Sequence, residues 1–522
     1  MVNLSEYIIK KADQTPNKCY LLYEQQKITY GELKERMLNA AKGFYHQGIR
    51  QGDKICVMLD NSPEYLDIWF GLSTIGAILV PINTHLKGEG LRHIIDHSDC
   101  KMIILEQTYK DKVQEALSLI DRRIKLIVND TGTDVNKEDQ KLSHILHNYA
   151  HKALPNVNVP KTSINNILYT SGTTGLPKGV MLTHENYIFS AKNFAHKMVG
   201  ATMDDVLFTT LPLFHINAQA HTVLGAISVN ATIALEKRFS ASRFWQQVYE
   251  SGATIFNSLG SMIPILCKQP EHSLDTAHRV RITACAATPK KFWETFENRF
   301  QIKIIEGYGL TETAGFCVTN PRDGGKVSSI GQPYDYVDAK VVSNSGKKLD
   351  AFERGELTLK ADDKYFMVGY YKMTEETKKS IRDGWFYTGD QVYVDEDGYY
   401  YFCDRQKQVI RRRGENISSW EVEKVVDQHP SILESAAVGV PSELAEEDVK
   451  VYIVLKKGMH TTPEELLKWC EERLAYFMVP RYVEFIDALP KTATERIEKY
   501  KLRKKGIGNA WDREKAGYKL SR

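Results

Sequence analysis

Apolar and polar positions follow two rhythms along this chain, and the switch between them divides it. Over residues 33–45 apolar side chains recur at three- and four-residue spacing, which predicts an amphipathic helix after the turn Thr29-Tyr30-Gly31. Residues 54–59 read as a buried strand, 63–73 as a helix and 78–80 as another strand, and 101–105 and 125–128 continue the strands. Helices alternating with β-branched runs predict layered parallel sheets covered by helices. Residues 129–163 are polar and turn-rich and read as a loop. After about residue 335 the pattern turns to strands with few helices (339–342, 355–359, 399–402), which predicts a β-rich subdomain. Beyond Arg405, helices over 419–428 and 463–474 alternate with strands over 436–440 and 449–455, a small α+β module. The boundary falls near 404–408.

Bulk properties narrow the class without naming a chemistry. At 522 residues the chain is too long for one core. Its 69 Lys and Arg stand against 66 Asp and Glu, so a net charge of +3 gives no case for a nucleic-acid partner. The basic stretch 496–522 reads as a solvated helical tail. None of the eight cysteines forms a C-x-x-C pair, so neither a zinc site nor a disulfide framework is suggested, and reduced thiols fit. The N-terminus shows no signal peptide. Residues 65–82 are apolar but carry Asp67, Ser73, Thr74 and Pro81, a buried helix and strand rather than a membrane span. A cytoplasmic protein without integral membrane association is expected.

Candidate chemistry begins at Tyr169-Thr170-Ser171-Gly172-Thr173-Thr174-Gly175-Leu176-Pro177-Lys178-Gly179-Val180. After the strand Asn166-Ile167-Leu168-Tyr169, a run of small hydroxyl and glycine residues gathers N–H and O–H donors into a nest that suits an oxyanion. Lys178 adds a cation at its rim. The run is no P-loop, because Lys178 is followed by Gly179 and Val180 instead of Ser or Thr opening a helix. Ser/Thr/Gly clusters are also ordinary loops.

Glu306-Gly307-Tyr308-Gly309-Leu310-Thr311-Glu312-Thr313 offers an aromatic face for a purine at Tyr308, a hydroxyl for phosphate at Thr311 and a hard oxygen for Mg²⁺ at Glu312. The octet reads equally as a strand-to-helix turn with Thr311 as N-cap. In Gly384-Trp385-Phe386-Tyr387-Thr388-Gly389-Asp390, Asp390 could accept both hydroxyls of a ribose, or cap a turn.

Together, in this order, these segments resemble the signatures of the adenylate-forming superfamily of acyl-CoA synthetases, firefly luciferase and peptide-synthetase adenylation domains. The resemblance runs from Thr29-Tyr30-Gly31-Glu32-Leu33 to Leu489-Pro490-Lys491-Thr492. It implies an α/β fold: a large N-terminal domain of layered α/β subdomains plus a β-rich subdomain (1–403), a hinge (404–408), and a small mobile α+β C-terminal domain (409–522). It also implies an ATP-dependent, AMP-forming carboxylate–CoA ligase with ATP, Mg²⁺ and coenzyme A, in which Thr170 to Gly175, Lys178, Tyr308, Gly309, Thr311 and Glu312 hold nucleotide, phosphate and metal. Asp390 and Arg405 would meet the ribose. His215, in Leu211-Pro212-Leu213-Phe214-His215-Ile216-Asn217, would border the acyl pocket, and Gly414, Glu415 and Asn416 the pantetheine tunnel. Gln408 stands where an acidic or basic hinge residue is usual.

A second departure falls on the chemistry. Where the superfamily has Gly-Lys near the C-terminus, this chain has Glu495-Arg496, so Arg496 is expected to supply the adenylation cation, with Lys499 as a substitute. Arginine's fork matches carboxylate and phosphate oxygens. The overall resemblance is to crotonobetaine/carnitine–CoA ligases, carried by Gly76-Ala77-Ile78, Val80-Pro81-Ile82-Asn83, residues 214–219 and residues 241–248. A trimethylammonium acid would want an aromatic partner, with Phe214, Phe256, Phe316 and Tyr334 as candidates. Alternatives are a medium-chain fatty-acid or aryl-acid CoA ligase, a luciferase-type oxidase, and a degenerate synthetase that binds without catalysis. Ile216-Asn217-Ala218 offers no acid for an α-amine, which counts against amino-acid activation. Ala284-Cys285-Ala286-Ala287-Thr288-Pro289 stands where a glycine-rich adenine loop is common. The expected partners are a small carboxylic acid, ATP and CoA; a homodimer and a carrier-protein acceptor are left open.

Overall fold

Two mixed sheets, sandwiching helices between them, build most of the large domain. The structure is a computed structural model, which describes residues 2–131, 139–170, 176–405, 409–444, 446–490 and 497–520, without the side chains of 404, 405 and 409. The first helix between the sheets, Tyr30–His46, starts where Thr29 and Glu32 form a reciprocal capping box, and buries Leu33, Met37, Ala40 and Phe44. Pro63–Thr74 follows an N-cap at Ser62 and buries nearly every side chain, because it lies inside rather than on the surface.

The seven-stranded sheet runs Gly369–Tyr370, Lys178–Thr183, Ile164–Thr170, Ile78–Pro81, Lys54–Met58, Met102–Glu106, Lys125–Asn129. Its strands from Ile164–Thr170 to Lys125–Asn129 are parallel, and the two at the other edge are antiparallel. The nine-stranded sheet has a parallel centre (Lys303–Leu310, Ile282–Ala286, Ile255–Leu259, Val206–Thr209, Thr232–Leu235, Cys19–Tyr23) and antiparallel margins. One core joins Ile55 and Leu79 of the first sheet, Leu33, Phe44 and Trp69 of the helices, and Leu207 and Ile255 of the second. The β-rich subdomain is an antiparallel sheet of Asp338–Val342, Gly355–Lys360, Trp385–Val394, Ile381–Arg382 and Tyr400–Arg405. After it come the hairpin Val409–Arg412/Glu415–Ser418 and a sheet of Ile432–Pro441, Glu447–Leu455, Tyr482–Phe485 and Trp511–Asp512, with its own core of Val422, Val451, Leu466 and Leu474. Among the described residues no helix is long and apolar enough to cross a membrane, and all eight cysteines are free thiols.

Two expectations fail. The stretch 129–163 carries a helix, Leu142–His147, seated against Tyr30–His46 where Gly43 leaves no room for a Cβ beside the Ile145 carbonyl. Among its described residues the C-terminal stretch is helical only over Lys499–Lys504; Trp511–Asp512 then pairs with Tyr482 and Val483, and Arg513 is buried, bonding the carbonyls of Val479 and Pro480. Charge alone misled there, because the chain returns to a sheet edge far away in sequence.

Candidate active site

The strands that flank the glycine-rich run pair with each other. Ile164–Thr170 and Lys178–Thr183 are antiparallel, and Thr170 faces Lys178 in register. Ser171, Gly172, Thr173, Thr174 and Gly175 lie outside the described residues. Lys178 opens a strand and not the helix that follows a P-loop lysine. The Lys178 ammonium donates to Glu376 Oε2 at 2.6 Å and lies 5.1 Å from the centre of the Tyr370 ring. The Tyr370 hydroxyl donates to Glu312 Oε1 at 2.9 Å. Lys178 and Glu312, distant in sequence, are thereby brought to one tyrosine. Lys178 and then Lys379 hold the Glu376 carboxyl down at about 2, so it stays ionised near neutrality.

The octet continues the strand Lys303–Leu310 and turns back through residues 311–314 into Gly315–Thr319, so Thr311 caps no helix. Gly309 is required at the turn: a Cβ there would overlap the Gly315 carbonyl. Thr311 and Glu312 remain partly exposed beside it. Tyr308 is buried, and its hydroxyl donates to Asp390 Oδ2 at 2.6 Å. Asp390, itself buried, is the register partner of Arg405 across two antiparallel strands, which brings both predicted ribose residues to one ladder position.

His215 projects from a segment that two buried amides hold from both sides. Asn61 donates to the Leu211 carbonyl at 3.0 Å and accepts from the Leu213 N–H at 2.8 Å, and Gln219 donates to the Leu213 carbonyl at 2.7 Å. His215 Nε2 lies 3.2 Å from Glu415 Oε1, which also accepts from Asn83 at 3.1 Å. Burial raises the Glu415 carboxyl, but His215, His85 and Asn83 outweigh it and leave the group below its ordinary value. Gly414, at φ +85°, has no room for a Cβ beside Leu259 of the large domain, and Asn416 follows on the same hairpin. Arg496 lies outside the described residues, as do Glu495 and Gln408. Lys499, the substitute, is occupied: it donates to Ser419 Oγ at 2.8 Å and pairs with Glu423 at 2.6 Å.

Sequence profiles complete the picture. The profile of the AMP-binding enzyme family matches residues 8–371, and that of the AMP-binding enzyme C-terminal domain matches residues 421–496. The chain belongs to the AMP-binding enzyme family. A crotonobetaine/carnitine–CoA ligase from Salmonella heidelberg is 33% identical over 508 residues, covering 93% of this chain and 96% of the relative. An o-succinylbenzoate CoA synthetase double mutant from Bacillus subtilis, bound with its product analogue, matches with a TM-score of 0.82 at 24% identity, covering 95% of this chain and 98% of that one. The synthetase in complex with AMP matches at 0.67 and 25% identity, covering 97% and 98%. The chain is thus an adenylate-forming, AMP-forming acid–CoA ligase.

Three residues around these candidates carry no motif in the sequence: Tyr370 and Glu376 around Lys178, and Asn61 around His215. Each is delivered by tertiary contact. The aromatic candidates also separate. Phe256 packs among Phe244 and Trp245, Phe316 stacks on His221, and Tyr334 stacks on Tyr336. Phe214 contacts the His215 ring, with centroids 4.8 Å apart.

Metal chemistry fits this site on donor type. Among the described residues no group of three or more His, Cys, Asp or Glu could hold an ion unaided. A single carboxylate such as Glu312 suits Mg²⁺, which takes one or two carboxylates and fills its octahedron with phosphate and water oxygens.

Proposed function

We propose that this enzyme activates a small carboxylic acid of the carnitine or crotonobetaine type and passes it to CoA. A carboxylate oxygen attacks the α-phosphorus of ATP, the bond to the bridging oxygen breaks, and pyrophosphate leaves. The CoA thiol then gives up its proton to solvent, its sulfur attacks the acyl carbonyl, and the acyl C–O bond breaks so that AMP leaves with the bonding electrons. Residues 171–175 and Lys178 would neutralise the departing phosphates, Lys178 exchanging Glu376 for phosphate oxygens. Thr311 would bind phosphate, and Glu312 would hold Mg²⁺, which when bound would supply screening of the phosphate charge. Asp390 and Arg405 would hold the ribose, with Tyr308 orienting Asp390. Arg496 would bridge carboxylate and α-phosphate in the first step; Arg496→Ala that left acyl-adenylate formation unchanged would remove that role. Most of this is positioning and electrostatic work.

The observation that carries the reading is the 3.2 Å contact between His215 and Glu415. His215 belongs to the proposed acyl side and Glu415 to the proposed thiol side, and thioester formation needs the two to meet. On this reading residues 1–403 form the adenylation domain, 404–408 the hinge and 409–522 the domain that swings. The Bacillus synthetase supports it: the TM-score to this chain is 0.82 with its product analogue and 0.67 with AMP. A difference of that size between two structures of nearly one sequence fits a change in domain placement. The acid follows from the Salmonella relative and from Phe214 beside His215, an aromatic face a trimethylammonium group would seek.

The test is CoA-dependent AMP formation with carnitine, crotonobetaine, γ-butyrobetaine, octanoate and coumarate. Turnover of the betaines is expected. Turnover of octanoate alone would reassign the acid, and ATP binding without pyrophosphate release from any acid would leave a non-catalytic binding protein.

A further inference from the structure

The helix Gly88–His97 of the large domain touches the small domain at its first turn and the residues flanking the glycine-rich run at its last. Gly88, at φ +54°, faces the Arg473 carbonyl, and Lys87 before it donates to the Glu471 carbonyl at 3.3 Å. At Gly90 a Cβ would overlap Oε1 of Glu421, which stands on the first turn of the helix Ser419–Asp427. Lys424, one turn on, lies 3.7 Å from Glu89, which is itself paired with Arg92. No side chain of the preceding residue caps the helix Gly88–His97, and the Glu421 carboxyl lies against that first turn, where burial pushes it up to about 7 against the pull of Lys424, and the neighbouring Glu89 raises it too. Further along, His93 Nε2 bonds the Pro177 carbonyl at 3.0 Å and His97 Nδ1 bonds the Tyr169 hydroxyl at 2.8 Å. Those two partners flank residues 171–175 on either side.

Glycine inside a helix costs backbone entropy that alanine does not. At Gly90 the space it leaves is filled by the Glu421 carboxyl group from the other domain. We propose that Gly90 is the notch into which Glu421 docks, and that this contact positions the small domain for acyl transfer to the thiol while contributing nothing to adenylation. The proposal rests on the two-step reading above, because only a swinging domain makes the contact specific to one step. Gly90 and Glu421 are positioning residues: neither touches the reacting atoms.

The experiment separates the half-reactions in the full-length enzyme. Gly90→Leu fills the notch. Acid-dependent ATP–pyrophosphate exchange should stay within about twofold of the parent, while CoA-dependent thioester formation falls about tenfold or more. Glu421→Ala in the Gly90→Leu background reopens the space and should recover at least about threefold of that loss. Hydrogen exchange supplies a readout independent of turnover: the amides of Ser419–Asp427 should exchange faster in Gly90→Leu, with the thermal midpoint of the large domain unchanged. Equal loss in both half-reactions, thioester formation at the parent rate, or no recovery in the double variant would each overturn the notch. Unchanged exchange would overturn it whatever the activity. Should the parent release no pyrophosphate with any acid, the two-step reading fails, and the exchange measurement still decides whether Glu421 docks at Gly90.

Discussion

Replacing Glu306 by glutamine should make the protein less stable in acid and more stable in base. Glu306 lies on Lys303–Leu310, two residues before Tyr308, and only 4% of it is exposed. Its carboxyl accepts from the Ala287 N–H at 2.6 Å and from the Thr288 N–H at 3.2 and 3.1 Å. These bonds hold Ala287 at φ +62°, a left-handed conformation that costs an alanine roughly 1–2 kcal/mol. Burial raises the carboxyl from 4.5 to about 7, against the opposing pull of Thr288, Ala287 and the more distant Arg411.

The folded protein therefore holds this proton more tightly than the unfolded chain. That contribution is fully present below about pH 4.5, is lost as pH rises through about 7, and is level above it. At about 1.4 kcal/mol per tenfold change in proton affinity, the gap is on the order of 3 kcal/mol. Glutamine cannot ionise and keeps one acceptor for Ala287. Its amide N–H₂ in place of the second oxygen should cost about 1 kcal/mol at low pH. Glu306→Gln is then expected to be about 1 kcal/mol less stable than the parent at about pH 3.5, nearly equal to it at about pH 5 and about 2 kcal/mol more stable at about pH 8.5. Guanidinium unfolding of both proteins at about pH 3.5, 5 and 8.5 reads the crossover. Parallel stability curves would refute the reasoning, since they would mean that no charge is being buried at this position.

Tyr308→Phe deprives buried Asp390 of its 2.6 Å donor; at about 1–3 kcal/mol the KM for ATP should rise about 5- to 100-fold, with kcat less affected. Lys178→Ala should slow pyrophosphate release about 10²- to 10³-fold. Glu376→Gln, by freeing the same ammonium, should lower the KM for ATP, and a rise would show that Glu376 orients Lys178 instead of competing for it. Phe214→Leu should raise the KM for a betaine acid about 3- to 30-fold, the worth of a cation–π contact, and leave an uncharged acid of similar size unchanged. Equal losses on both acids would move the trimethylammonium site elsewhere.

Local signals were legible where structure is made locally. The helix over 33–45 carries its own capping box at Thr29 and Glu32, and the structure extends it only to Tyr30–His46. The strands at 54–59 and 78–80 were readable because apolar, β-branched side chains are buried on both faces of a parallel sheet. The helix Leu142–His147 was not: at six residues it is too short to stand by propensity and forms because Gly43 lets it close on its neighbour. The site divides in the same way. Lys178, Glu312 and Asp390 announce themselves in glycine-rich strings, since a turn, a ligand and a close approach all demand particular residues there. Tyr370, Glu376 and Glu306 do not, because an aromatic or acidic residue on a strand or helix looks ordinary until the fold sets it against a lysine or a left-handed alanine.

Lys499 shows how the unusual charge near the C-terminus fits into the small domain. Its ammonium is nearly buried and pairs with Glu423, whose carboxyl burial raises despite that cation. Removing one partner of such a pair costs about 3–5 kcal/mol, so Lys499 is poorly placed to leave for a nucleotide. The cation demand of the proposed first step then falls on Arg496, three residues earlier. Glu423 and Ser419, the two anchors of Lys499, stand on the same helix that offers Glu421 to Gly90. The chain just beyond Arg496 is thus tied to the element that docks. A movement that lifts Glu421 from its notch carries the anchor of the Arg496 segment with it, so the two steps would draw on one rigid body used in two positions.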